Sequence, residues 1–249
     1  MNAESAVLPV AVIGAAGRVG RFACELLRRS QGFELRAAYG RADAWPAALA
    51  STGASVALDV TRAGLGFEHG LAILECGVRP VIGTSGVDLE QNRELDRRAR
   101  ELGLGGIVVP NFSLGSMLLQ RFAAEAARHL ASAEIVELHH ERKRDAPSGT
   151  ALETARAIAR ARQDSELEHP AIPADGPARG EVHAGVPIHS VRLPGLYAHQ
   201  EVLLGQAGET LALRHDMQGP EAFGPGILHC LRYAASASGV ARGLEAAFG

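Results

Sequence analysis

The chain of 249 residues predicts an α/β protein: a doubly wound parallel sheet, followed by a second α+β domain carrying a mixed or antiparallel sheet. Three observations predict this. Short apolar runs alternate with helical periodicities up to residue 111, a pattern that demands crossovers and a parallel sheet. A glycine motif separates the first run from the first helix, as in a Rossmann-type fold. After residue 112 strand-like runs follow one another with turn signals between them.

The elements follow in order. PVAVIG (9–14) is the first strand. The helix after it sets Val19, Phe22, Ala23, Leu26 and Leu27 at helical spacing and stops at Gly32. FELRAAYG (33–40), SVALDVT (55–61), PVIGTSG (80–86) and GIVVPN (106–111) supply four more strands. Helices lie near 65–77 and 88–103, the second capped by Asp88. Past residue 112, SMLLQRFAAEAARHL is a helix, AEIVELHH a strand, and another helix follows it. PIHSVRL, AHQEVLLG and ETLALRHD are three strand-like runs, with Ala-Gly-Glu as a turn signal between the last two. FGPGILHCLRYAASA closes the chain as a helix with Pro225 near its start. The stretch 163–186, rich in Pro, Gly, Asp and Glu, is expected to be a mobile loop. A first domain is expected over 1–111 and a second over 112–221, with the closing helix within 222–249.

Composition narrows the function classes. Apolar residues make up 47% of the chain and aromatics 4%, so Ala, Val, Leu and Ile fill the core. A net charge of −3 gives no basic surface for nucleic acid. Cys24, Cys76 and Cys230 match no metal or redox spacing and read as buried thiols in a reducing compartment. The N-terminus lacks a basic and then apolar leader, and no long apolar run suggests a membrane span. A soluble cytoplasmic protein is the expectation.

In GAAGRVG, Gly14, Gly17 and Gly20 stand directly after a strand and before a helix. Glycines allow a tight turn and close approach to a pyrophosphate, which the helix N-terminus then attracts. The second strand ends in Gly40-Arg41 where an acid usually holds the NAD ribose, and Asp43 comes too late. Arg41 suits a 2′-phosphate and Arg18 adds a cation, so NADPH is the preferred cofactor and NADH the other.

The segment HHERKRDAPSGTA (139–151) puts positive charge ahead of a helix start near Thr150. Gly149 permits close approach, Ser148 and Thr150 add hydroxyls, and His140 and Lys143 add charge or donors on the same side. That combination reads as an anion site, since such clustering is costly without a compensating anion. A zinc pair at His139 and His140 lacks a third ligand at recognisable spacing, so no metal is expected. Adjacent strand residues face opposite ways, so both histidines serve one pocket only if the strand ends or bends there, at the domain junction.

At these residues the chain resembles the 4-hydroxy-tetrahydrodipicolinate (dihydrodipicolinate) reductase family over essentially its whole length. The resemblance rests on GAAGRVG, GTSG (83–86), PNFSLG (110–115), ELHHERKRDAPSGTA (137–151) and VRLPGLYAHQEVLLG (191–205). It implies nicotinamide-dependent reduction of a cyclic dicarboxylate in diaminopimelate and lysine synthesis. By resemblance, His139 is a proton donor or acceptor and Lys143 a proton donor. His140, Gly149 and Thr150 bind substrate, with Ser148 lining the same pocket. Gly14, Ala15, Ala16, Gly17, Arg18 and Val19 contact the cofactor, as do Gly83, Thr84 and Ser85, and Val109, Pro110, Asn111 and Phe112. A homotetramer built through the second domain is also implied, as is a final helix that returns to the first. Three departures stand out: Gly40-Arg41 for the acid, DVT (59–61) for D-F-T, and GTSG for G-T-T-G. An amino-acid dehydrogenase would explain the glycine loop but not the 139–150 cluster. A ligand sensor without catalysis would need the anion clamp but not the proton-transferring side chains.

Overall fold

A computed structural model of the chain describes residues 7–163, 165 and 177–248. The fold divides into one unit of Met1–Leu114 with Phe223–Gly249 and another of Gly115–Ala222.

The first unit holds a six-stranded parallel sheet. Its strands are β1 (Leu8–Ile13), β2 (Phe33–Tyr39), β3 (Val56–Asp59), β4 (Arg79–Ile82), β5 (Gly105–Val108) and β11 (Gly239–Arg242), ordered β11-β5-β4-β3-β1-β2. The central strands are continuous apolar runs because helices cover both faces; all four residues of β3 and of β5 are buried. Helix α1 (Arg18–Arg29) buries Phe22, Ala23, Leu26 and Leu27. Helices α3 (Gly66–Glu75), α4 (Leu89–Glu101) and α7 (Gly224–Ser236) complete the layers, and a short helix, α2 (Trp45–Leu49), adds to the expected set. Asp88 caps α4 as expected, in a reciprocal pair: its carboxylate accepts from Gln91 N at 2.8 Å, and Gln91 Oε1 accepts from Asp88 N at 3.1 Å.

The sheet register does the work that matters for function. Tyr39, Ile13, Asp59, Ile82, Val108 and Arg242 pair side by side across all six strands. The loops after β1, β2, β3, β4 and β5 therefore leave the sheet from one row, at the carboxyl ends of the strands. That is the edge where open parallel sheets take ligands.

The second unit contains β6 (Ser132–His139), β7 (Glu181–His183), β8 (Val186–Arg192), β9 (Ala198–Gln206) and β10 (Glu209–Met217), in the order β10-β9-β6-β8-β7. β6 and β8 are parallel and the other pairs antiparallel, so the sheet is mixed. Ala207-Gly208 forms the tight β9–β10 turn, with Gly208 at φ +92°. Helices α5 (Leu114–Ala126) and α6 (Gly149–Gln163) pack small residues, Ala123, Ala151 and Ala155, against Ile135, Ile188 and Val202.

Three expectations need correction. Part of the 163–186 loop is regular: residues 177–179 form a 3-10 turn and 181–183 pair with β8, while 164 and 166–176 lie outside the described residues. The C-terminal segment is more than a helix, since β11 follows α7 and pairs with β5. Cys24 and Cys230 are buried, but Cys76 is half-buried at the end of α3, its thiol 3.3 Å from Pro46 O.

Candidate active site

In the nucleotide half, the three glycines have separate jobs. Gly14 has φ +89°, and a Cβ there would sit 2.9 Å from the Val60 carbonyl. Gly20 is the tightest: a Cβ would lie 2.1 Å from Gly14 O, so the helix could not lie down against the loop. Gly17 N donates to Gly14 O at 3.0 Å and Gly17 stands as the N-cap of α1 with no side chain in the way. Ala15 N and Gly14 N both donate to Tyr39 O at 2.9 Å, tying the loop to the end of β2. Ala16, Gly17 and Arg18 are exposed, with Val19 half-buried.

The other predicted cofactor loops rise from the same row. Gly83 N donates to Asp59 O at 2.8 Å and Val109 N to Ile82 O at 2.8 Å. A Cβ on Gly83 would meet the Phe112 ring at 2.5 Å, so Phe112 closes over that turn. Ser85 and Pro110 are exposed, and the Asn111 carboxamide accepts from Ser113 N at 2.9 Å. Thr84 is buried and its hydroxyl has no partner among the described residues. An orphaned hydroxyl beside a glycine cradle fits a dinucleotide, which supplies both phosphate and hydrogen-bonding atoms. Arg41 is exposed beyond β2. Asp59, fully buried at the end of β3, was not singled out from the sequence; it accepts from His69 Nδ1 at 3.0 Å and Thr61 N at 2.9 Å.

In the second unit, β6 ends at His139, as the two-histidine argument required, and Lys143 N donates to His140 O at 3.1 Å to turn the chain. Ile135, Glu137 and His139 alternate onto the face that α6 covers. Glu137 is fully buried there. Its carboxylate receives His139 Nδ1 at 2.5 Å, Ser148 N at 3.2 Å, and both ends of the Arg192 guanidinium at 2.7 and 2.9 Å. Burial alone would raise the Glu137 carboxyl; the hydrogen bonds from His139, Arg192 and Ser190 overcome it and bring it down to about 2. A carboxylate only accepts, so Nδ1 of His139 carries the proton and Nε2 is the nitrogen left for chemistry.

Helix α6 starts at Gly149. Ser148 is its cap: its hydroxyl accepts from Ala151 N at 3.2 Å, and its carbonyl from Leu152 N at 3.1 Å. Ser148 is thus spent largely on the helix start. Gly149 is exposed and a Cβ there would meet nothing within 4 Å, so no packing inside the protein calls for glycine. Thr150 follows in the first turn, half-buried. His140 Nδ1 is buried with no partner among the described residues. These are the features of a site that receives an anion from outside.

One step of the sequence argument fails. The positive charge ahead of α6 is not uncompensated: Lys143 Nζ bonds Asp145 Oδ2 at 2.6 Å, and that carboxyl is lowered by Lys143 against the effect of its burial. Arg192 was also missed. It pairs with His139 in the β6–β8 register and binds the carbonyls of Asp145 at 2.6 Å and Lys143 at 3.3 Å, so it holds the loop as well as Glu137. Among the described residues, no group of three His, Cys, Asp or Glu comes together to hold a metal.

Comparison with known proteins adds family models, curated relatives and a solved structure. Family models described as dihydrodipicolinate reductase, N-terminus and C-terminus, cover residues 8–112 and 115–246. The 4-hydroxy-tetrahydrodipicolinate reductase of Coxiella burnetii (strain CbuG_Q212) is 41% identical over 236 residues, 95% of this chain and 97% of that protein. The enzyme of the same name from Legionella pneumophila (strain Lens) is 42% identical with the same coverage. The dipicolinate-bound dihydrodipicolinate reductase from Paenisporosarcina sp. TG-14 superposes with a TM-score of 0.82 at 35% identity, over 96% of this chain and 98% of that one.

Proposed function

The chain belongs to the dihydrodipicolinate reductase family, and from that premise we propose how its residues share out the reaction. It is a nicotinamide-dependent oxidoreductase that reduces 4-hydroxy-tetrahydrodipicolinate (dihydrodipicolinate) to tetrahydrodipicolinate in diaminopimelate and lysine synthesis. The nicotinamide, when bound, supplies the hydride. The residues that would hold its dinucleotide are Gly14–Val19, Gly83–Ser85 and Val109–Phe112, with Arg41 taking the 2′-phosphate of NADPH.

In the second unit, the first turn of α6 takes a substrate carboxylate on the N–H groups of Gly149 and Thr150. The dipicolinate named for the Paenisporosarcina relative supports a ring dicarboxylate as the ligand. His140 offers its unpartnered Nδ1. Lys143 exchanges its surface partner Asp145 for the incoming dianion, stabilises that charge and gives up a proton. His139 moves a proton through Nε2. The observation that supports this reading is the Glu137–His139 bond of 2.5 Å, made by a carboxylate that also accepts from Ser148 N at the start of α6. We place the protein in the cytoplasm, as a homotetramer joined through the face of the mixed sheet that α5 and α6 leave uncovered, where Leu203 is 40% exposed.

Gly149→Ala tests the helix tip. Alanine meets no protein atom and suits a helix better than glycine by up to about 1 kcal/mol, so thermal stability should hold or rise. KM for the dicarboxylate in the coupled assay with the synthase product should nevertheless rise about tenfold or more. An unchanged KM would move the carboxylate away from α6.

A further inference from the structure

Gly40 ends the second strand where an acid usually reads the adenosine ribose. The structure fills the vacancy from three residues further on. Asp43 Oδ2 accepts from Gly40 N at 2.6 Å. A Cβ built on Gly40 would lie 3.5 Å from that same oxygen and 3.8 Å from the Cβ of Ala16 in the glycine loop. The Asp43 carboxylate therefore stands beside the spot from which the missing side chain would grow, next to the phosphate cradle. Tyr39, the residue before Gly40, holds the glycine loop through two backbone bonds, so the β2 end and the cradle are fixed to each other within one unit. One oxygen of Asp43 is anchored by the backbone and the other is left to accept.

We propose that Asp43 is a specificity-determining residue that takes the place of the acid absent from the end of β2 and accepts the ribose hydroxyls of NADH. Arg41 serves the 2′-phosphate of NADPH from the same turn. This rests on the reading of residues 14–19 as the dinucleotide site. It reverses the inference that Asp43 comes too late in the sequence: the chain folds back after Gly40 and returns the carboxylate to the place it appeared to have left empty.

Asp43→Asn is the informative variant, because the asparagine oxygen can still accept from Gly40 N while the charge is gone. Titration of the substrate-free protein with NADH and NADPH, followed by calorimetry or nicotinamide fluorescence, gives both dissociation constants without turnover. Asp43→Asn should weaken NADH about tenfold, the scale of a lost charge-assisted hydrogen bond. NADPH should bind as well or better, since a negative charge beside its 2′-phosphate has been removed. Arg41→Ala should do the reverse. Equal weakening of both cofactors by Asp43→Asn, or no change for NADH, would overturn the assignment while leaving the dinucleotide site intact. Failure of the wild type to bind either cofactor would instead overturn the site reading itself.

Discussion

His139→Gln is expected to lower kcat by about 10²- to 10⁴-fold, the usual scale for removing a positioned acid or base. KM should change little, because the substrate carboxylates are held by α6 and His140 rather than by this ring. Glutamine can still reach Glu137 through its amide N–H groups, so the buried carboxylate keeps a donor and the melting temperature should stay close to that of the wild type. What disappears is a nitrogen that can exchange a proton. Steady-state kinetics across pH would decide it. A kcat within a few fold of wild type would remove His139 from proton transfer and leave Lys143 to act alone.

Arg192→Ala is expected to cost about 3–5 kcal/mol of stability, because it strips a two-pronged guanidinium partner from a carboxylate with no solvent exposure. Urea unfolding at pH 7 measures it. The pH dependence carries a sign that separates this from simple loss of packing. In the wild type the Glu137 carboxyl lies at about 2, below its ordinary 4.5. Its stabilising contribution is therefore complete above about pH 4.5 and drains away as pH falls through 2. Without Arg192, burial pushes the same carboxyl upward, so the deficit should shrink as pH falls and the group protonates. Adding Glu137→Gln to Arg192→Ala should recover part of the loss at pH 7, since the uncompensated charge is gone. A deficit that stays constant with pH, with no recovery in the double variant, would mean the guanidinium acts only as filler.

Much of this was legible in the sequence, and what was not has a common cause. The strands of the parallel sheet announce themselves because burial on both faces leaves uninterrupted apolar runs, as in VALD of β3. His140, Lys143 and Gly149 could be named because they crowd into one short motif before a helix, whereas a role for His139 came only from the family resemblance. Arg192 escaped because it lies 55 residues from Glu137, and only the parallel register of β6 with β8 brings the two together. The return of the Asp43 carboxylate to Gly40 N was not legible because linear distance along a turn is a poor guide to where a side chain ends. β11 and β7 escaped for another reason: GVAR and EVH are too short to show a period, and each exists as a strand only through the neighbour it pairs with.

The edge strand β11 has a further consequence. Gly239 to Arg242 supply the outermost ladder of the nucleotide-binding unit, on β5, yet they follow the whole of the second unit in the chain. During translation Gly115–Ala222 emerge in full before that ladder can form. The inserted unit is thus free to fold while its host still presents the unpaired backbone of β5 to the surroundings. A growing chain is most exposed to self-association in this interval, and the arrival of β11, rather than completion of the glycine loop, is the event that closes the parallel sheet.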